Sequence, residues 1–187
     1  MDLAAFLSGR SARVTETITW PGGLELRVAA YLDTAMPPRA DVTSVRCIVL
    51  NAGTVLVMRD PGGSHILPGG RRERGEALEA TLRRELMEEA GCTVQMPRLL
   101  GWLHYHHLSS RPEGYAYPYP DFAQLVYWAE VADFLPDLRQ RDDVELDAAF
   151  APLSGVRSLG LAGWQLLFLN AALDARSRAA PAVLQRS

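Results

Sequence analysis

A mixed α+β fold, with helices packed on the faces of a mixed β-sheet, is what this sequence predicts. Three observations carry the expectation: two hairpin patterns in succession near the N-terminus, one strongly periodic helix in the middle, and strand-like runs followed by a second helix towards the C-terminus.

In the first hairpin, Val14, Ile18 and Trp20 share one strand face, interrupted by Glu16, while Thr15, Thr17 and Thr19 take the other. Pro21-Gly22-Gly23 supplies turn chemistry, and Leu24 to Leu32 gives the returning strand. After a break at Pro37-Pro38, the run Val45 to Leu50 meets Asn51-Ala52-Gly53 and then Val55-Leu56-Val57-Met58, which predicts a second, more buried hairpin. From Asp60 to Gly75 the chain holds five glycines and two prolines, so an irregular loop is expected, and a long loop inside a compact domain is usually functional. Glu76 to Ala90 contains good helix formers plus Thr81, with Leu78, Leu82 and Leu86 at i, i+4 and i+8 and Gly91 as the stop. Leu99 to His107 and Phe122 to Val131 read as strands on either side of a Pro/Tyr-rich loop, Ser109 to Asp121. Ala162 to Arg176 is amphipathic and reads as a last helix.

With 187 residues the chain suits one domain with extensions, and 48% hydrophobic against 22% charged residues predicts compact folding rather than disorder. The expected division is an N-terminal arm with its hairpin over residues 1–40, the main domain over 41–178, and a loose tail over 179–187. A formal charge of −3 gives no sequence-wide footprint for a nucleic acid polymer or an anionic membrane, so a polyanionic ligand must be met locally. All basic residues are arginine, which excludes chemistry through a lysine amine. Cys47 and Cys92 are too few for a disulfide framework and read as buried thiols in a reducing compartment. The apolar stretch Leu3 to Leu7 is short and lacks a basic leader, and no run reaches the ~18 residues of a membrane span. A soluble, cytoplasmic protein is expected. The edges of the N-terminal hairpin are open to pairing between subunits, which makes a homodimer compatible with the sequence.

The chemistry concentrates on the central helix. Glu85, Glu88 and Glu89 stand at i, i+3 and i+4, on one face, and their mutual repulsion costs a few tenths of a kcal/mol per pair, roughly. Arg84 reaches Glu88 at i+4, and Glu79 reaches Arg83, which leaves an acidic excess suited to a divalent cation. Hard carboxylate oxygens without histidine favour Mg2+, with Mn2+ as a substitute, over zinc.

From Gly70 the chain runs through five residues to Glu76, seven more, then Arg84-Glu85-Leu86-Met87-Glu88-Glu89-Ala90-Gly91-Cys92. This resembles the Nudix box, G-x5-E-x7-R-E-U-x-E-E-x-G-U with U apolar, at every position, Cys92 being a soft match to a bulky aliphatic; Leu67-Pro68-Gly69-Gly70 resembles the family's approach to the motif. The resemblance implies a Nudix-type α/β/α sandwich and Mg2+-dependent hydrolysis of a phosphoanhydride in a nucleoside diphosphate linked to another group, or in a nucleoside di- or triphosphate. It implies Glu88 and Glu89 as principal metal ligands, Glu85 as a further ligand or the base that activates water, Gly69 as a ligand through its carbonyl, and Arg84 as a support acting in part through Glu76.

Outside the box the sequence leaves alternatives open. Arg71, Arg72 and Arg74 suit phosphate oxygens, and Tyr115, Tyr117 and Tyr119 offer rings for a base, so Arg71, Arg72, Tyr117 and Tyr119 are the substrate candidates. A downstream acid is expected among Glu113, Asp121, Glu145 and Asp147. Of His104, His106 and His107, only His104 and His106 can share a strand face, which speaks against a structural zinc. A nucleotide-sensing module of the same fold without turnover is the main competing function. An isomerase acting on isoprenoid diphosphates, which depends on an active-site cysteine and altered box residues, fits the unbroken box less well.

Overall fold

The computed structural model describes residues 2–20, 22–115, 117–140 and 146–179. Its strands are β1 (Val14–Trp20), β2 (Leu24–Tyr31), β3 (Val42–Asn51), β4 (Thr54–Asp60), β5 (Gly63–His65), β6 (Cys92–Val94), β7 (Arg98–His107), β8 (Asp121–Phe134) and β9 (Asp147–Pro152). The helices are α1 (Leu3–Leu7), α2 (Leu78–Ala90) and α3 (Gly163–Ala179). The strands run β1-β2-β7-β8-β3-β4-β5, with β6 added to β8 and β9 to β4. Among the described residues only the β3–β8 pairing is parallel, so the sheet is mixed. The N-terminal hairpin joins it through β2 and β7, from Leu26↔His107 to Tyr31↔Trp102.

Alternation along the central strands builds two cores. Val45, Cys47 and Val49 of β3, with Leu125 and Ala129 of β8, pack under Leu82, Leu86 and Ala90 of α2. Ile48 and Leu50, with Val126 and Trp128, pack under Phe168, Leu169 and Ala172 of α3. The period-2 pattern of a strand buried on both faces thus becomes an α/β/α sandwich, the predicted architecture. Among the described residues, no helix is long and apolar enough to cross a membrane.

The second hairpin departs from simple pairing. β3 and β4 are in register only at Leu50↔Val55 and Asn51↔Thr54. Beyond that they diverge, and the loop segment after β5 takes the vacated edge of β3: Val45 N–H donates to Gly70 O at 3.0 Å, Cys47 N–H to Pro68 O at 3.0 Å, and Arg72 N–H to Thr43 O at 3.0 Å. Backbone donors that a hairpin would have used hold Leu67–Gly70 instead, and that stretch is buried.

Four elements were not expected. Helix α1 is a single capped turn, with Asp2 accepting from Ala5 N–H at 2.8 Å and Phe6 set 5.3 Å from the Trp102 ring; five residues are too few for periodicity to show. Strands β5 and β6 have three residues each, and β9 is alanine-rich with no alternation to read. Helix α2 starts at Leu78 rather than Glu76, because the Glu76 carboxylate is committed elsewhere and Ala77 is extended. The expected tail lies, apart from residue 179, outside the described residues.

Gly91 ends α2 in the left-handed region at φ 61°, and a Cβ there would stand 2.1 Å from the Leu135 carbonyl oxygen. Conformation and close approach therefore both demand glycine. Gly91→Ala is expected to destabilise by about 2 kcal/mol or more in urea unfolding, and Gly91→Asn to recover little of it, since asparagine tolerates the backbone angle but still carries the clashing Cβ. Recovery to within a few tenths of a kcal/mol, roughly, would show that conformation alone matters.

Candidate active site

The site forms where the Leu67–Gly70 segment crosses the sheet-facing side of α2. Gly69 has φ 127°, and a Cβ on it would meet Val45 O at 2.3 Å. A Cβ on Gly70 would meet the Glu85 carboxylate at 2.2 Å, so the missing side chain leaves the room that Glu85 fills. Gly69 N–H donates to Glu89 Oε2 at 2.7 Å, bonding segment to helix.

Arg84 organises the acidic face. Its Nε and Nη2 donate to the two Glu76 oxygens at 3.0 and 3.1 Å, a bidentate pair. Nη2 also donates to Arg71 O at 3.0 Å, and Nη1 stands 2.8 Å from Glu88 Oε2 and 2.9 Å from Glu85 Oε1. The i+4 spacing gave Arg84 only Glu88; the structure adds Glu85 and Glu76, so more of the carboxylate repulsion is compensated than spacing suggested. Arg83 pairs with Glu79 at 2.8 Å as expected.

The charges respond accordingly. Hydrogen bonds from Arg84, with support from Glu73 N–H and the Thr81 hydroxyl, hold the Glu76 carboxyl at about 2. Burial raises the Glu85 carboxyl above its ordinary range against the opposing pull of Arg84. Arg84 itself is held firmly charged, chiefly by Glu76.

Among the described residues, no three acidic, histidine or cysteine side chains are arranged as a ready metal cage. Glu85 and Glu88 are turned onto Arg84, and Glu89 reaches the Gly69 amide. The donor set nevertheless fits a hard divalent ion: three carboxylates and the Gly69 carbonyl supply only oxygens, beside a cradle that any residue larger than Gly70 would fill. An ion held there would have to draw Glu85 and Glu88 away from Arg84 Nη1. The Gly69 carbonyl accepts from Arg46 Nη1. Arg46 stands within the apolar run Val45 to Leu50, and a lone arginine inside a strand buried on both faces is the sequence signal that something polar lies above it.

The remaining candidates separate. Arg71, Arg72 and Tyr117 line one shallow pocket of about 220 Å3, with the Arg71 guanidinium 3.7 Å above the Tyr117 ring. Tyr119 is apart from them, its hydroxyl donating to Ser109 O at 3.2 Å. Asp121 is engaged by two imidazoles, His104 Nε2 at 2.6 Å and His106 Nδ1 at 2.8 Å. Glu113 is exposed in its loop, and Asp147 is exposed on β9 opposite Arg59. Glu145 lies outside the described residues. Both cysteines are buried and unpaired in disulfides, and burial pushes the Cys92 thiol up to about 12.

Comparison with known proteins agrees with this arrangement. The family model described as NUDIX domain matches residues 41–168. No curated protein matches the chain. Among solved structures, the Bacillus subtilis pyrophosphohydrolase BsRppH is similar, with 16% identity, a TM-score of 0.58, and 88% of this chain and 98% of that one covered. A NUDIX hydrolase from Nitrosomonas europaea shares 18% identity at a TM-score of 0.55, covering 72% and 90% of the two chains. The NUDIX domain of Shewanella oneidensis NrtR, crystallised with ADP ribose, shares 21% identity at a TM-score of 0.54, covering 79% and 95%. At such identities these structures establish the shared fold, and the family model establishes the rest: this chain belongs to the Nudix hydrolase family.

Proposed function

We propose that the protein is a Mg2+-dependent hydrolase of the phosphoanhydride bond in a nucleoside diphosphate linked to another moiety, or in a nucleoside di- or triphosphate. The observation that carries this reading is the joining of the motif's charged residues at one place: Glu89 accepts from the Gly69 N–H, Glu85 fills the space beside Gly70, and Arg84, fixed by Glu76, faces Glu85 and Glu88. The names of the structural neighbours are consistent with it: one is a pyrophosphohydrolase, one binds ADP ribose, and another is a UDP-X diphosphatase.

In this reading Glu88, Glu89 and the Gly69 carbonyl hold the cation, and Glu85 is a further ligand or the base. When bound, the ion neutralises the diphosphate, lowers the pKa of water and stabilises the departing phosphate. Burial raises Glu85 above the ordinary carboxylate, the direction that suits a base. Glu76 holds Arg84 charged and in place, Glu85 and Glu88 would turn from Arg84 to hold the ion, and Arg71 and Arg72 would meet phosphate oxygens from the loop.

A second reading, a module that senses a nucleotide without turnover, is favoured by the pairing of Glu85 and Glu88 with Arg84. Incubation with a panel of nucleotides and Mg2+ separates the two: the enzyme forms product, whereas a sensor gives calorimetric binding and none. On any substrate that is turned over, Glu88→Gln should lower kcat by about a hundredfold or more while leaving KM little changed, because its contribution is made in the transition state. A raised KM at normal kcat would contradict the ligand role.

Glu76 generates a separate prediction. Its folded pKa lies below the unfolded value, so its stabilising contribution is complete above about pH 4.5 and is lost as pH falls towards about 2. Glu76→Gln should cost about 1–3 kcal/mol at pH 7, allowing for solvent screening of Arg84, with the gap to wild type narrowing at pH 3 in urea unfolding. A gap that stays constant between pH 7 and pH 3 would mean that charge is not what Glu76 supplies.

A further inference from the structure

Arg71 directly follows the Gly69–Gly70 turn and occupies the first of the five positions that the box leaves free. With Thr43 of β3 and Arg72 it lines the shallow pocket of about 220 Å3 that Tyr117 closes from the loop between β7 and β8. We propose that Tyr117 is a positioning residue: its ring fixes the Arg71 guanidinium beside the carboxylate site, where it grips a phosphate oxygen of the substrate, so that this loop reads the ligand's charge and not its base. The proposal rests on the nucleotide-hydrolase reading above.

The backbone of Arg71 is fixed on both sides. Its carbonyl accepts from Arg84 Nη2 at 3.0 Å, it forms an antiparallel bridge with Ser44, and the next amide, of Arg72, donates to Thr43 O at 3.0 Å. The side chain is exposed, and what orients it is the Tyr117 ring, 3.7 Å from the guanidinium carbon. Among the described residues, no carboxylate forms an ion pair with Arg71. A guanidinium laid on an aromatic face keeps the N–H groups of its own plane for an oxyanion, so the stack holds the cation without using up its donors. Arg72 is more committed, since its Nη2 donates to Arg39 O at 3.3 Å.

Tyr117 is itself held from behind. Phe122 stands 6.0 Å from its ring with the planes 27° apart, and Tyr115 stands 5.1 Å away. The Tyr115 hydroxyl shares a hydrogen bond of 2.7 Å with Nε2 of His107, a buried residue of β7. A line of contacts thus runs from the sheet through Tyr115 and Tyr117 to the exposed cation. Arg71 covers a face of Tyr117 that a stacked nucleobase would need, which argues against the ring as a base platform. Holding the guanidinium in advance lowers the entropy lost when it grips a phosphate, and that gain falls on binding and not on the chemical step.

Calorimetry on the full chain with Mg2+ tests this, using the non-hydrolysable α,β-imido analogues of ADP and UDP and, as a base-free ligand, imidodiphosphate. Tyr117→Leu, which keeps bulk and removes the π-face, should weaken all three by a similar factor, about three- to tenfold, whereas Tyr117→Phe should stay within about twofold of wild type. Arg71→Gln should weaken all three at least as much, and adding Tyr117→Leu to it should cost nothing further, because the ring acts through the guanidinium. Arg71→Gln, at an exposed position, decides the matter should Tyr117→Leu fail to fold: unchanged binding there overturns the inference. So does a Tyr117→Leu loss confined to the two nucleotide analogues, a Tyr117→Phe as weak as Tyr117→Leu, losses that add in the double variant, or failure of imidodiphosphate to bind the wild type. On a substrate that is turned over, Tyr117→Leu and Arg71→Gln should raise KM at near-normal kcat. The predicted binding pattern with no turnover of any nucleotide would sink the hydrolase reading alone, and turnover with a KM indifferent to both residues would sink the positioning role alone.

Discussion

Arg84 is the residue on which the site's arrangement depends. Its guanidinium binds Glu76 through two parallel hydrogen bonds, holds the Arg71 carbonyl of the loop, and faces Glu85 and Glu88 along its own helix. Three carboxylates on one helical stripe repel one another unless a positive charge stands among them. The Glu76 fork fixes where that charge sits and leaves one nitrogen to be shared with the acidic face. A lysine could not do both, since its ammonium lacks the planar fork.

The backbone beneath makes the same provision. Because β3 and β4 separate after two paired residues, the edge of β3 is open to the Leu67–Gly70 segment, which is thereby pressed against α2. Gly69 and Gly70 are needed there for reasons of space, one against the Val45 carbonyl and one against the Glu85 carboxylate. Two arginines then satisfy the oxygen atoms that the proposed function assigns to a cation, Arg84 on Glu85 and Glu88 and Arg46 on the Gly69 carbonyl. In the arrangement described, these oxygens already have partners, and a cation proposed to sit among them would have to take the place of the arginines.

The layered fold was legible because its signals are periodic: alternate apolar residues on β1 to β4 and the leucine ladder of α2 each name the face that is buried. The box residues were legible as a motif, and their spacing put Glu85, Glu88 and Glu89 on one face. What could not be read is what depends on distant parts of the chain meeting. Arg46 reaches the Gly69 carbonyl from another strand, whereas the Arg84–Glu76 pair was already implied by the motif. Tyr117 and Tyr119 looked equivalent in sequence, yet only Tyr117 meets Arg71.

The central claim is that the carboxylates of α2 leave Arg84 for a divalent ion. A crystal structure of the full chain grown with Mn2+, with the metal located by anomalous scattering, tests it most directly. The account predicts a peak bounded by Glu88, Glu89 and the Gly69 carbonyl, with Glu85 turned towards it and the Glu76–Arg84 pair intact. A peak elsewhere, such as between His104, His106 and Asp121, with Glu85 and Glu88 still bonded to Arg84, would contradict it.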